Sequence, residues 1–218
     1  MVMEIFLKYS YQLYFPRELL WDILNDLPQR CEKENAQPTT IHFPDHDLVL
    51  PLRSEWFEDS QHPWDKPIFR FVTSMFFDED EAIQEYYRNW HYDPTDRCRT
   101  NETGARQVAI GFIYLIVYAD LSRHFAFSNK VTDMVLFEFS SSSSEMNALF
   151  AKSGSIHKSF VRLLQTYHGM IGILDQRQKD NHLFWFMGDE VDYTLKGIFF
   201  LPEEIAQVLA KGKHDKTQ

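Results

Sequence analysis

The chain has only two cysteines in 218 residues, Cys31 and Cys98, and no CxxC pair. That excludes a disulfide scaffold, which needs several bridges in a short secreted domain. Residues 1–15 lack a basic stretch followed by an uninterrupted apolar one, so no secretory signal is expected and a reducing cytoplasm is the default setting. The apolar runs fall short of the roughly 20 residues that an α-helix needs to span a bilayer, so no membrane association is expected. Lys/Arg clusters are missing too, and the formal net charge is −10. A duplex-binding protein carries a basic stripe that displaces counterions from phosphates, so nucleic acid is not an expected partner. The tail Lys211–Gln218 is only mildly basic. GxGxxG, GxxxxGK[ST], GxSxG and HExxH are all absent, which argues against the common nucleotide-binding and hydrolase folds while leaving other enzymes open.

What the chain does have is core material. Apolar residues make up 44% and aromatics 16%, with 19 Phe. Burying one Phe side chain contributes about 1.5–3 kcal/mol, and this aromatic load suits a pleated face better than a simple helical bundle. The most informative segment is Gln107–Asp120, QVAIGFIYLIVYAD. Its β-branched and aromatic content reads as a strand buried on both faces, the middle of a covered sheet. The expected fold class is therefore α+β: a mixed or mainly antiparallel sheet with helices packed on it and a central strand near 107–119.

Other segments extend this scheme. Met3–Tyr9 has strand character, and a helix is expected from Pro16, with Leu19, Leu20, Ile23, Leu24 and Leu27 as its apolar stripe and Pro28 as its end. Thr39–Leu52 reads as two short strands about a turn at Pro44–Asp47, Ser54–Lys66 as a loop, and Pro67–Phe77 as a strand. Asp78 with Glu81 has capping-box spacing for a helix that buries Ile83, Tyr86, Tyr87 and Trp90. His91–Arg106 reads as a long polar loop. Met134–Phe139 is a strand, Glu145–Lys152 a short helix, and Ser155 the cap of another helix that ends before Gly169. Met170–Leu174 and His182–Met187 read as a β-hairpin, Gly197–Leu201 as a last strand, and Pro202 as the opening of a closing helix. Ile68–Ser74 echoes Leu136–Ser142, which raises two related β–α halves, 1–104 and 105–218. No Gly/Pro/Ser-rich linker divides the chain, and a single domain over 1–218 is the expectation.

Several groups have chemical capacity. His42, Asp45 and His46 lie in the densest set of metal-capable side chains, whose imidazoles and carboxylates suit Zn²⁺, Mn²⁺ or Fe²⁺. Pro44 and the turn geometry explain the same residues as a wet hairpin tip, so no metal or other cofactor is assigned. Cys98 sits between Arg97 and Arg99, which favours the thiolate. With His91 and Asp93 it would form a nucleophile and base if folding joined them. Gly104 occupies the position where a phosphatase loop needs arginine. The run Asp78–Glu81 is explained by helix capping and the helix dipole, Ser140–Ser144 by a strand-to-helix connection, and His157 and His168 by the ends of one helix. Trp56, Trp64, Trp90 and Phe184–Phe186 read as core aromatics rather than a ligand pocket.

These features favour a non-enzymatic intracellular interaction domain, an inhibitor or immunity-type protein whose acidic surface attracts a basic protein partner. A metal-dependent or cysteine-based enzyme using the 42–47 or 91–106 segments is the alternative, and a small-ligand sensor with an aromatic cavity is a third.

Overall fold

Alternating aromatic and polar residues make Tyr9–Pro16 the first strand, β1, with Tyr11, Leu13 and Phe15 turned to one face and Gln12 and Tyr14 to the other. The computed structural model describes residues 9–32, 39–42, 47–50, 53–54, 68–89, 94–121, 133–141, 143–176, 181–196 and 202–215. After a 3-10 turn at Arg17–Leu19 comes α1 (Leu20–Arg30), then β2 (Thr39–His42), β3 (Asp47–Leu50), β4 (Arg53–Ser54), β5 (Ile68–Asp78) and α2 (Glu81–Asn89). A second 3-10 turn, Pro94–Arg97, leads to β6 (Cys98–Thr100), β7 (Arg106–Tyr118), β8 (Met134–Ser141), α3 (Ser144–Lys152) and α4 (Gly154–Thr166). The chain then forms β9 (Ile171–Gln176), β10 (Asn181–Phe186), β11 (Asp189–Leu195) and α5 (Pro202–Asp215).

The fold is α+β. Eight strands follow one another in the order β11-β10-β9-β1-β8-β7-β5-β4, and β6 adds to β7 in line with β8. Every pairing in this sheet is antiparallel, while β2 and β3 form a separate hairpin. The expected central strand is β7, clamped between β5 and β8 over Ile113–Tyr118. The two echoing segments, β5 and β8, lie on either side of it.

One face of the sheet carries most of the core. Phe15, Phe71, Phe77, Phe137 and Phe139 are fully buried beneath α1, α2, α3 and α4. Phe160 of α4 is a hub whose ring centroid lies 4.4 Å from Tyr11 and 4.8 Å from Phe139. Close approach is built in at Gly172 of β9, where a Cβ atom would come within 2.7 Å of both Leu164 and Phe184. The second face is apolar at the β9–β11 end, where Leu183 and Leu195 meet Ile205 of α5. Toward β7 and β8 it turns polar. Gln12 donates to Asp175 (3.2 Å), Tyr14 to Gln12 (3.3 Å) and Tyr118 to the buried Glu138 (3.5 Å). Burial, reinforced by the charges of Glu138 and Asp175, pushes the Tyr14 hydroxyl well above its ordinary value.

Several expectations are corrected. β7 is not buried evenly on both faces: Ile113, Leu115 and Val117 are shielded, whereas Tyr114, Ile116 and Tyr118 are half-buried because they lie on the more polar face. Strand structure runs on to Pro16, so α1 starts at Leu20, and Pro28 sits inside its last turn rather than ending it. The 94–106 stretch is not all loop, since pairing with β7 converts Cys98–Thr100 into β6. Asp80, not Asp78, caps α2, accepting the Ile83 amide at 3.0 Å. Ser153, not Ser155, caps α4, accepting the Ile156 amide at 3.1 Å. Met3–Lys8, the 43–46 turn, the 55–66 loop and Gly197–Leu201 lie outside the described residues.

Candidate functional site

Cys98 opens β6, where pairing with Val108 fixes its backbone. Arg106 Nη2 donates to its sulfur at 3.2 Å and also pairs with Glu79 at 3.3 Å. The two flanking cations turn elsewhere. Arg97 is paired with Glu32 and reaches Ser74 Oγ at 3.0 Å. Arg99 donates to Gln107 (2.8 Å) and to the Gln29 carbonyl (2.9 Å), with its guanidinium 4.1 Å from the Phe76 ring centroid. Arg97 and Arg99 thus tie β6 to the end of α1 and to β5, and Arg106 is the cation that meets the thiol.

The other cysteine is structural in character. Cys31 is buried and bridges Met75 on the side of β5 away from β7, and burial pushes its thiol up to about 11. Neither cysteine forms a disulfide. His91 and Asp93, the proposed partners of Cys98, lie outside the described residues, as do Asp45 and His46. The backbone of His42 stands opposite that of Asp47 in the β2–β3 ladder. Among the described residues, no three His, Cys, Asp or Glu side chains come together as a metal-ready group.

The acidic run at 78–81 has an architectural role. Asp80 Oδ1 caps α2, while its Oδ2 accepts from Ser153 Oγ (2.7 Å) and from the Ser155 amide (2.9 Å), so one carboxylate joins two helix starts. Its pKa is lowered. Burial works against the charged form, but hydrogen bonds from the Ser155 and Ile83 amides and from the Ser153 and Ser155 hydroxyls outweigh it. Asp78 accepts from Gln107 at 2.9 Å and from Asn101 at 3.1 Å, and pairs with Arg162 at 3.4 Å.

His157 of α4 lies over Phe184 (4.7 Å between centroids), with Nδ1 3.4 Å from the Tyr11 hydroxyl. Burial, aided by His182, lowers its pKa, while Glu190 acts the other way. Phe184 and Trp185 are buried and Phe186 is half-buried, and Trp185 Nε1 donates to the Gly169 carbonyl at 2.7 Å. Trp56, Trp64 and Trp90 are outside the described residues. His168 lies beyond the end of α4 with φ +49°. It lines a cleft of about 360 Å³ with Met170, Trp185 and Met187.

Two surface features were missed in the sequence. Phe112 is 69% exposed with φ +59°, at the irregularity where β7 shifts register against β5. Arg97 lies over the adjacent Gly111, where a Cβ would sit 3.3 Å from its guanidinium nitrogens. The lone glycine in a strand pattern was the available signal for this bulge. The second feature is β11. It returns from β10 through a two-residue turn, Met187–Gly188, with φ +51° and +101°, as a type I′ hairpin requires. Val191, Tyr193 and Leu195 pack inward beside α5, while Asp189, Glu190, Asp192 and Thr194 are exposed. That period of two was visible in DEVDYTL.

No protein-family model, curated protein or solved structure matches the chain. Among the described residues no helix is long and apolar enough to cross a membrane.

Proposed function

We propose that the protein is a non-catalytic binding module that docks a basic protein partner, in the manner of an inhibitor or immunity-type protein of a reducing compartment. The carrying observation is a division among the carboxylates. Glu32, Asp78, Glu79 and Asp80 are engaged by arginines, amides and hydroxyls of the scaffold. Asp189, Glu190 and Asp192 instead project from one terminal strand, and Asp189 and Glu190 make no ion pair among the described residues. Asp192 stands 3.7 Å from His182 with its side chain 95% exposed. Neighbouring exposed charges of one sign steer an oppositely charged protein and favour its encounter.

Immobilised protein incubated with a native lysate at low salt should retain a basic protein that salt releases, and the combined D189N/E190Q/D192N variant should lose it. Retention indifferent to salt and to the variant, or no salt-sensitive partner at all, would refute the proposal.

The cleft between the end of α4 and the β10–β11 turn supports a second reading, a small-ligand sensor, because its volume of about 360 Å³ lies within the range of ligand sites. Ligand binding there should change Trp185 fluorescence, whereas docking at β11 should not require it.

A further inference from the structure

We infer that β11 is a receptor strand: an extended basic segment of the partner adds to the open end of the sheet. This rests on the acidic-docking reading above and specifies how the docking occurs.

The two ends of the sheet differ in kind. One is β4, two residues long. A strand that short offers almost no ladder, which is a usual way of blunting an edge. The other is β11, seven residues long and paired on one side with β10, with no strand on its outer side among the described residues. An unpaired strand edge presents a row of backbone N–H and C=O groups that an extended peptide can complete. β11 is also held firmly enough to act as a template. Its inward residues Val191, Tyr193 and Leu195 pack in the cluster that contains Ile205 of α5, and the type I′ turn fixes its register.

Charge selects the occupant. A second copy pairing on this edge would bring Asp189, Glu190 and Asp192 against the same acidic strand, and like charges on adjacent strands destabilise a pair. A lysine- or arginine-bearing strand puts opposite charges there instead. β11 has one irregularity, at Val191–Asp192, where two residues face Phe184 alone. The bulge separates Asp189–Glu190 from Tyr193–Leu195, so the added strand pairs in two short stretches. That geometry suits a segment whose affinity comes from charge as well as from backbone hydrogen bonds.

The experiment is an amide-resolved NMR titration of the full chain with a short synthetic peptide alternating lysine with valine. A peptide of the same pattern with glutamate for lysine is the control. At low salt the lysine peptide should shift the β11 amides and slow their hydrogen exchange, the glutamate peptide should do neither, and D189K/E190K/D192K should weaken binding by about tenfold or more. Salt-sensitive shifts at β11 without slower exchange of its amides would overturn strand addition and leave acidic docking standing, and shifts confined to another surface would overturn both. Equal binding of the two peptides would overturn the charge argument. No shift anywhere with millimolar lysine peptide would overturn both. The unfolding midpoint of the triple variant, whose sites are all exposed, separates a binding loss from a folding loss.

Discussion

On one face of the sheet the phenylalanines of β1, β5, β7's neighbours and α4 interlock under four helices; on the other, α5 covers the β9–β11 end, and Gln12, Glu138 and Asp175 hold a polar row toward the centre. The difference separates the aromatic packing that holds the fold from a face that also carries polar groups. Close-packed aromatics on the first face supply burial and edge-to-face contacts such as Phe15–Phe137, with centroids 5.6 Å apart. The second face instead carries a polar row that includes the buried Glu138, and its terminal strand exposes Asp189, Glu190 and Asp192.

The sharpest way to break this comparison is to remove the hub. Phe160→Ala takes away the ring that meets Tyr11 and Phe139 and also Phe77, whose centroid is 6.1 Å away. It should cost about 3–5 kcal/mol in denaturant unfolding. Ile205→Ala, on α5 where it covers the second face, removes a smaller side chain from a smaller cluster and should cost less, about 2–3 kcal/mol. Equal losses would mean that the two faces share the load.

Next in size is the pin between helices. Asp80→Ala removes the cap of α2 and the acceptor that Ser153 and Ser155 share at the start of α4. It should cost about 1–2 kcal/mol. Because the folded-state pKa of Asp80 lies below its ordinary value, its contribution is complete above an unfolded pKa of about 3.9 and is lost as pH falls through the folded value. Acid unfolding should therefore show a stability loss beginning below about pH 4 that D80A lacks. His157 has its pKa lowered by burial and by His182, which also makes stability rise with pH, but in the window below about 6.5. As pH falls, the His157 loss sets in first.

How much of this was legible in the chain depended on whether a segment carried its own instructions. The β-branched run of β7 and the alternating phenylalanines of β5 and β8 specify strands by themselves, and all three were read within two residues. The α5 start at Pro202 was equally plain. β6 was hidden because Cys98, Arg99 and Thr100 have no strand pattern, and only the free edge of β7 makes them one. β11 was hidden by its acids, which disfavour strands on propensity although Val191, Tyr193 and Leu195 alternate correctly. Asp78 and Asp80 have the same residue type near one helix start, and choosing between them requires knowing that α4 arrives beside Asp80. The candidate site followed the same rule. The arginines beside Cys98 could be seen, but their partners Glu32, Ser74 and Gln29 come from distant segments.

The smallest expected effect tests the surface side of the comparison. Phe112 holds a left-handed backbone, φ +59°, and exposes most of its ring. For a residue with a Cβ this conformation costs about 1–2 kcal/mol, and the exposed ring regains little by burial. Glycine removes the Cβ penalty but loses more chain entropy on folding, about 0.5–1 kcal/mol. Phe112→Gly should therefore raise stability slightly, by about 0.5–1 kcal/mol, read as a higher denaturant midpoint at unchanged slope. Such a gain would mark Phe112 as a residue retained for something other than folding, since the bulge tolerates its loss. A drop beyond about 1 kcal/mol would show that the ring packs in solution. Phe112 would then belong with the core aromatics, and the line between the packed and the exposed parts of the sheet would have to be redrawn through β7.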